Sequence, residues 1–259
     1  MFYSIGRAIA SLDGRNFLAE FEDVADRIQR LLLDIEIPQA VGLDIGVRAA
    51  PARVVGGDYV DVIPCAGRGP LFAIGDVSGK SLPAALRAMT LKYLVRGLVT
   101  VLGTDVASTV ARANEVVCVD IEPEAFVTLC VATLSSDNRT LCFANAGHDP
   151  PLVYRARQGE VEELNHGSLV MGYDPTTPYH EQTASVLPGD IIALYTDGFT
   201  EAQSPQGEQF TLAHVKEGLL ELNHLSAQPL ANALFDRVEA FAAGTLNDDA
   251  TILIIRIVE

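Results

Sequence analysis

The sequence predicts an α+β domain layered on antiparallel strands, and three observations carry that prediction. The apolar runs come in the order strands, helix pair, strands, helices, strand, without the regular β–α alternation of a parallel sheet. Two strand-like runs, AFVTLCVATL and RTLCFANAG, are joined by Ser135-Ser136-Asp137-Asn138, which reads as a hairpin turn. The chain closes on TILIIRIV, a run apolar enough for a strand buried on both faces.

Residues 16–36 read as a helix. Phe17, Phe21, Val24, Ile28, Leu31 and Ile35 follow the 4-3-4-3-4 spacing of a coiled-coil seam, with Asn16 as N-cap and Pro38 as stop. Such a seam serves equally to pack the helix on its own domain or to join two copies as a homodimer through residues 16–36. Strands are expected around 43–48, 53–63 and 70–76. From Ser81 to Gly103 the pattern is helical, with Leu82, Ala85, Leu86, Met89, Tyr93 and Leu94 sharing a broad face, and a second helix covers 105–119. After the hairpin come strands near 151–155, 160–164 and 180–187. Pro188-Gly189-Asp190 turns the chain into IIALYT, and helices follow near 211–222 and 229–243. The chain thus divides into an N-terminal helical regulatory or linker segment, 1–39, and one domain, 40–259.

Composition removes several classes of function. Acidic residues outnumber basic ones, 34 to 18, for a formal charge of −16, which argues against a nucleic-acid partner and against anionic membrane surfaces. Cys65, Cys118, Cys130 and Cys142 form no CxxC pair, so reduced thiols are expected rather than disulfides or zinc. No apolar run is long enough to span a bilayer and the N-terminus lacks a signal-peptide layout, so a cytoplasmic location is expected.

Four aspartates mark the ends of four apolar runs: Asp58 in VGGDYVDV, Asp76 in LFAIGDVSGK, Asp197 in IIALYTDGFTEA and Asp248 in NDDATILII. A buried carboxylate is costly, and two close together oppose each other's ionisation. Four such ends gathered in one place call for positive charge, and carboxylate and carbonyl oxygens suit Mg²⁺ or Mn²⁺. Gly56 and Gly57 before Asp58 allow close backbone approach. Gly75-Asp76-Val77-Ser78-Gly79-Lys80 lacks the spacing of a phosphate-binding loop, so Asp76 reads as a metal ligand with the Val77 carbonyl facing the same ion. Lys80 reads as a surface cation able to contact a phosphate. His148, in Asn145-Ala146-Gly147-His148-Asp149-Pro150-Pro151, reads as an acid, a ligand or a structural histidine, the last favoured by base rate. The chain has no GxSxG elbow, HExxH or thiolate-phosphatase motif, which leaves activated water ahead of a covalent nucleophile.

Together, GGDYVD, GDVSGKSLPAAL, NAGHDPP, YTDGFTEA and DDAT, in that order, resemble the motifs of the metal-dependent serine/threonine protein phosphatases (PPM-type). The closer likeness is to the bacterial branch that controls sporulation and stress sigma factors (SpoIIE/RsbU-like), over residues 40–259. The resemblance implies a four-layer α-β-β-α sandwich of two antiparallel sheets flanked by helices, with the metal site at one edge between the sheets. It implies that Asp58, Asp76, the Val77 carbonyl, Asp197 and Asp248 hold two Mn²⁺ or Mg²⁺ ions, with Asp249 accessory to them. It implies hydrolysis of phosphoserine or phosphothreonine by a two-metal-activated water, on a phosphorylated STAS-domain, anti-anti-sigma-like protein, under an upstream activator. Helix movement completes the metal site in such relatives, and the helices at 16–36 and from Leu82 are the candidates here. Two departures stand out. Ser81 replaces a glycine, and Ser78 stands where eukaryotic relatives carry a histidine proposed as leaving-group acid, so the general acid stays open. A catalytically silent phosphatase-like binding module and a hydrolase of small phosphoesters are the rival readings.

Overall fold

Alternation along the strands decides which residues meet between two sheets. The computed structural model describes residues 14–65, 69–79, 82–120, 125–165 and 167–258, without the side chains of residues 14–23 and 120. The reading of Asn16, Phe17 and Phe21, and those of Lys80, Ser81 and residues 1–13, lie outside this description. In chain order the first elements are α1 (Gly14–Leu33), β1 (Leu43–Ala50), β2 (Asp58–Ile63), β3 (Leu71–Val77), α2 (Leu82–Leu102) and α3 (Val106–Asp120). Then come β4 (Val127–Leu134), β5 (Thr140–Ala146), β6 (Leu152–Arg155), β7 (Glu160–Glu163), β8 (Gln182–Ser185) and β9 (Ile191–Tyr195). The rest is a single turn α4 (Asp197–Thr200), α5 (Thr211–Leu222), α6 (Ala227–Phe241) and β10 (Ala250–Ile257).

The strands form two antiparallel five-stranded sheets, ordered β1-β10-β9-β6-β7 and β2-β3-β4-β5-β8. Val60, Val62, Phe72, Ile74, Cys130 and Phe143 from one sheet interleave with Ile192, Leu194, Leu253 and Ile255 from the other. Alternate residues of the second sheet, including Tyr59, Leu71, Ala73, Leu129 and Val131, turn outward under α2 and α3. On the first sheet Ile191, Ala193, Ile252 and Ile254 turn outward under α5 and α6. The result is the expected four-layer α-β-β-α sandwich. β10 is central in its sheet and buried along nearly its whole length, as its continuous apolar run predicts.

Three local readings change. The predicted strand 53–63 begins only at Asp58, because residues 51–57 bend as a loop that brings Gly56 against the Asp249 carboxylate and Gly57 against the Val77 backbone. On α2 the buried stripe is Ala84, Ala85, Ala88, Leu91, Lys92, Val95 and Val99, while Leu86 and Tyr93 are about half exposed. Small alanines let the helix approach the sheet closely, so residue size rather than hydrophobicity chose the face. On α1, Ala25, Ile28 and Leu32 are buried against the domain, whereas Val24 and Leu31 of the expected seam face outward.

α1 is held at its C-terminal end from α2. The buried Lys92 ammonium donates to the carbonyls of Leu31 (2.7 Å), Leu32 (3.0 Å) and Asp34 (3.1 Å). A cation there satisfies orphan carbonyls and favours the negative end of the helix dipole. One turn along α2, Arg96 makes a two-point ion pair with the fully buried Asp61 of β2. Among the described residues no helix is long and apolar enough to cross a membrane. The four cysteines are free thiols, of which only Cys130 is buried.

Candidate active site

The inner-face register of six strands ends in a polar residue at one edge of the sandwich. Two residues beyond Val60 on β2 stands Asp58, and two beyond Ile74 on β3 stands Asp76. The same step leads from Cys130 to Thr128 on β4 and from Phe143 to Asn145 on β5. On the facing sheet it leads from Leu194 to Thr196 after β9 and from Leu253 to Thr251 on β10. Period-two geometry therefore delivers the carboxylates and hydroxyls to the same mouth between the sheets.

Asp58 and Asp76 are direct cross-strand partners in the β2–β3 ladder. Asp58 is buried, and its Oδ2 accepts the hydroxyls of Thr196 (2.9 Å) and Thr251 (2.6 Å) from the opposite sheet. Burial pushes its carboxyl well above the usual carboxylate range. The Asp76 and Asp249 charges add to this, and the two threonine hydroxyls work against it.

Both glycines before Asp58 are required by close approach. A methyl group on Gly56 would stand 2.5 Å from Asp249 Oδ2. One on Gly57 would stand 2.5 Å from the Val77 carbonyl oxygen and 3.3 Å from both Asp76 Oδ1 and the Gly79 carbonyl oxygen. Gly57 thus packs directly against three oxygens, with no room for a side chain between them. The neighbouring peptide is pinned by the Val77 N–H, which donates to the Gly57 carbonyl at 3.2 Å.

Asp249 works on the backbone of this loop. Its Oδ1 accepts the Ala52 N–H at 2.8 Å and its Oδ2 accepts the Gly57 N–H at 2.7 Å, so one carboxylate clamps both ends of residues 52–57. Asp248 lies in the turn before β10 and accepts the Asp249 N–H on Oδ1 at 2.9 Å. Asp197 opens α4 directly after β9. Gly198 follows it because a side chain there would collide with the Asp249 carbonyl, 1.9 Å from the added carbon.

The NAGHDPP segment contributes two unlike residues. His148 is buried; its Nδ1 lies 2.8 Å from Thr128 Oγ1, which in turn accepts the Asp76 N–H at 3.2 Å. Burial pushes His148 down to about 4, with the Tyr195 backbone opposing, so the ring is neutral at pH 7. Asn145 closes the loop by accepting the His148 N–H and donating to its carbonyl. The His148 Nε2 is buried without a hydrogen-bond partner among the described residues. Asp149, which the sequence reading passed over, approaches Asp197 and Glu201. Burial first, then those two charges, lifts it to about 6. Its place directly after His148 in a loop between strands was the only signal for it. The Ser78 hydroxyl accepts the Phe126 N–H at 2.9 Å and so ties the β3 turn to the start of β4.

The Asp58 and Asp76 carboxylates and the neighbouring Val77 carbonyl are all oxygen donors, so the donor set fits Mn²⁺ or Mg²⁺. Asp58 and Asp76 are cross-strand partners, and the charges of Asp197 and Glu201 act on Asp149. Among the described residues no three His, Cys, Asp or Glu side chains already stand at metal-ligating spacing.

Comparison with known proteins agrees with this architecture. Residues 67–258 match the family described as Stage II sporulation protein E (SpoIIE). Phosphoserine phosphatase RsbU of Bacillus subtilis is 29% identical over 236 residues, covering 90% of this chain and 69% of that protein. The solved SiaA-PP2C domain of Pseudomonas aeruginosa superposes with a TM-score of 0.80 at 21% identity, covering 94% of this chain and 98% of that one. The catalytic domain of the serine/threonine protein phosphatase PstP, solved with two manganese ions, superposes with a TM-score of 0.61 at 17% identity, covering 84% and 99%.

Proposed function

From the premise that this chain belongs to the SpoIIE family of PP2C-type phosphatases, we propose that it hydrolyses phosphoserine or phosphothreonine in a divalent-metal-dependent reaction at the mouth between its sheets. The observation that carries this is the Asp58–Asp76 pair across β2 and β3, with the Val77 carbonyl packed on Gly57 beside it. The charge of the partly buried Asp76, in register with the buried Asp58, helps hold the Asp58 carboxyl above its usual range, a repulsion that a cation relieves. In this reading Asp58, Asp76, the Val77 carbonyl, Asp197 and Asp248 hold two Mn²⁺ or Mg²⁺ ions.

When bound, such ions activate water and offset charge on the phosphoryl oxygens. The chain's own residues do the positioning. Thr196 and Thr251 hold Asp58 Oδ2, leaving Oδ1 as its available donor. Asp249 fixes the loop that carries Gly57, and thereby the distance between Asp58 and the Val77 carbonyl. Thr128 and His148 hold the backbone of Asp76 from the side away from solvent.

The proposed substrate is a phosphorylated STAS-domain protein. The name of the RsbU relative supports phosphoserine chemistry, and the chain's formal charge of −16 disfavours a nucleic-acid substrate. Free thiols support a cytoplasmic setting, and the outward-facing Val24 and Leu31 support a second copy or an activator at α1.

The test is Mn²⁺-dependent hydrolysis of an aryl phosphate by the wild type beside Asp76→Asn and Asp197→Asn, followed by a phosphoserine STAS protein against a panel of small phosphates. Activity lost in both variants and fastest on the phosphoprotein is the expected result. No turnover of any substrate with tight Mn²⁺ binding would favour an enzyme gated by a partner, and no turnover without Mn²⁺ binding would favour the silent binding module.

A further inference from the structure

The loop that delivers Asp58 is held from two sides, and only one of them belongs to the catalytic sheets. Asp249 takes the Gly57 N–H, while the Gly56 N–H donates to the side-chain oxygen of Gln29 on α1 at 2.9 Å. Gly56 is buried, so without Gln29 its amide is a donor removed from water. Gln29 is itself well placed. It lies one residue after the buried Ile28, and the three carbonyls capped by Lys92 follow it closely. Val55, in the same loop, packs in one apolar cluster with Ala25, Ile28 and Leu32 of α1.

We propose that Gln29 is a positioning residue for the metal centre, holding the Gly56–Gly57 backbone so that Asp58 and the Val77 carbonyl keep their relative placement. The proposal rests on the phosphatase reading for its purpose, but the contact stands on the geometry alone. Gly57 packs directly on the Val77 carbonyl and accepts the Val77 N–H, so its peptide sets where that carbonyl stands. A peptide that swings away at Gly56 loosens that contact and displaces Asp58, two residues on. α1 lies outside the four-layer sandwich, yet one of its side chains completes the site's backbone.

Two substitutions in the full chain separate this role from packing. Gln29→Met keeps the length and helix preference of glutamine but removes the acceptor, and Gln29→Glu keeps an acceptor oxygen. In the metal-free protein, hydrogen exchange is followed in peptides covering residues 52–60, with residues 250–257 of β10 as internal reference. Mn²⁺ affinity is measured by titration calorimetry. The expected result for Gln29→Met is exchange at Gly56 faster by about tenfold, the scale of one lost hydrogen bond, and Mn²⁺ binding weaker by about three- to tenfold. The β10 peptide is expected to stay unchanged, and Gln29→Glu to match the wild type in both readouts. Unchanged exchange at Gly56 in Gln29→Met overturns the proposal. So does a rise shared by β10, which reports loss of fold, or faster local exchange with undiminished Mn²⁺ affinity. Absence of Mn²⁺ binding by the wild type would sink the metal reading instead, while the exchange comparison still decides whether Gln29 holds the loop.

Discussion

Thr251 of β10 donates its hydroxyl to Asp58 of β2 at 2.6 Å, from one sheet of the sandwich to the other. Thr196 donates to the same oxygen, and its own hydroxyl oxygen accepts the Thr251 N–H at 3.0 Å, so two strands of one sheet converge on one carboxylate of the other. This junction joins the two sheets at the end where the apolar core stops.

Replacing Thr251 by Val keeps the shape and β-preference of the side chain and removes its donor. The bond favours the charged form of Asp58, so the variant's carboxyl takes up a proton more readily. Stability is expected to fall by about 1–2 kcal/mol, and Mn²⁺ affinity to weaken more at pH 6 than at pH 8. Denaturant melts and calorimetry at the two pH values measure both.

Asp76→Asn is expected to separate stability from activity in opposite directions. It removes the charge that, after burial, contributes most to raising the Asp58 carboxyl. The metal-free variant should be more stable than the wild type, by about 1 kcal/mol at neutral pH. Mn²⁺-dependent hydrolysis should be lost. A thermal scan in chelator together with an aryl phosphate assay checks the pair of outcomes, and a metal-free variant less stable than the wild type counts against the repulsive pair.

His148 sets part of the acid response. Its folded value near 4 lies below the 6.5 of an unperturbed imidazole, so the unfolded chain binds the extra proton between those values. The stabilising contribution is complete above pH 6.5 and is lost as pH falls toward 4, on the order of 3 kcal/mol in all. Asp149 slopes the other way, because its value near 6 is raised from 3.8 and the folded state binds the proton first. The difference between wild type and His148→Gln isolates the histidine. The denaturation midpoint at pH 4.5 should rise relative to that at pH 7.5 in the variant.

Lys92→Met is expected to loosen α1 while leaving both sheets folded. The variant leaves three carbonyls at the end of α1 without their shared donor. The loss should be about 2–3 kcal/mol. Protease susceptibility near residues 31–37 reads it out, with amide exchange in β10 as control.

Much of the fold was legible because its elements carry local signals. The hairpin β4–β5, the helix 211–222 and the doubly buried β10 follow from turn chemistry and periodicity, and the structure has them within a few residues of where the pattern put them. The four aspartates were legible as the polar ends of apolar runs. What they face was not. The two threonines on Asp58 come from positions 138 and 193 residues along the chain, and Gln29 meets Gly56 from 27 residues upstream. Asp249 spans 197 residues to Ala52. The faces of α1 and α2 were misread for a related reason, since Leu86, Tyr93, Val24 and Leu31 are apolar enough to be core and yet lie outside it.

The sequence by itself determined the layered α+β class, the polar residues at the ends of four apolar runs and the residue types that a divalent cation prefers. Periodicity and chain-end chemistry act over a few residues and can be read there. Only the tertiary structure decided that Asp58 shares its oxygen with two threonines and that Gly57 packs directly on the Val77 carbonyl. It also decided that an outlying helix holds the loop between them. Those arrangements depend on which surfaces approach within hydrogen-bond distance, and that is settled by the packing of the sheets and helices together.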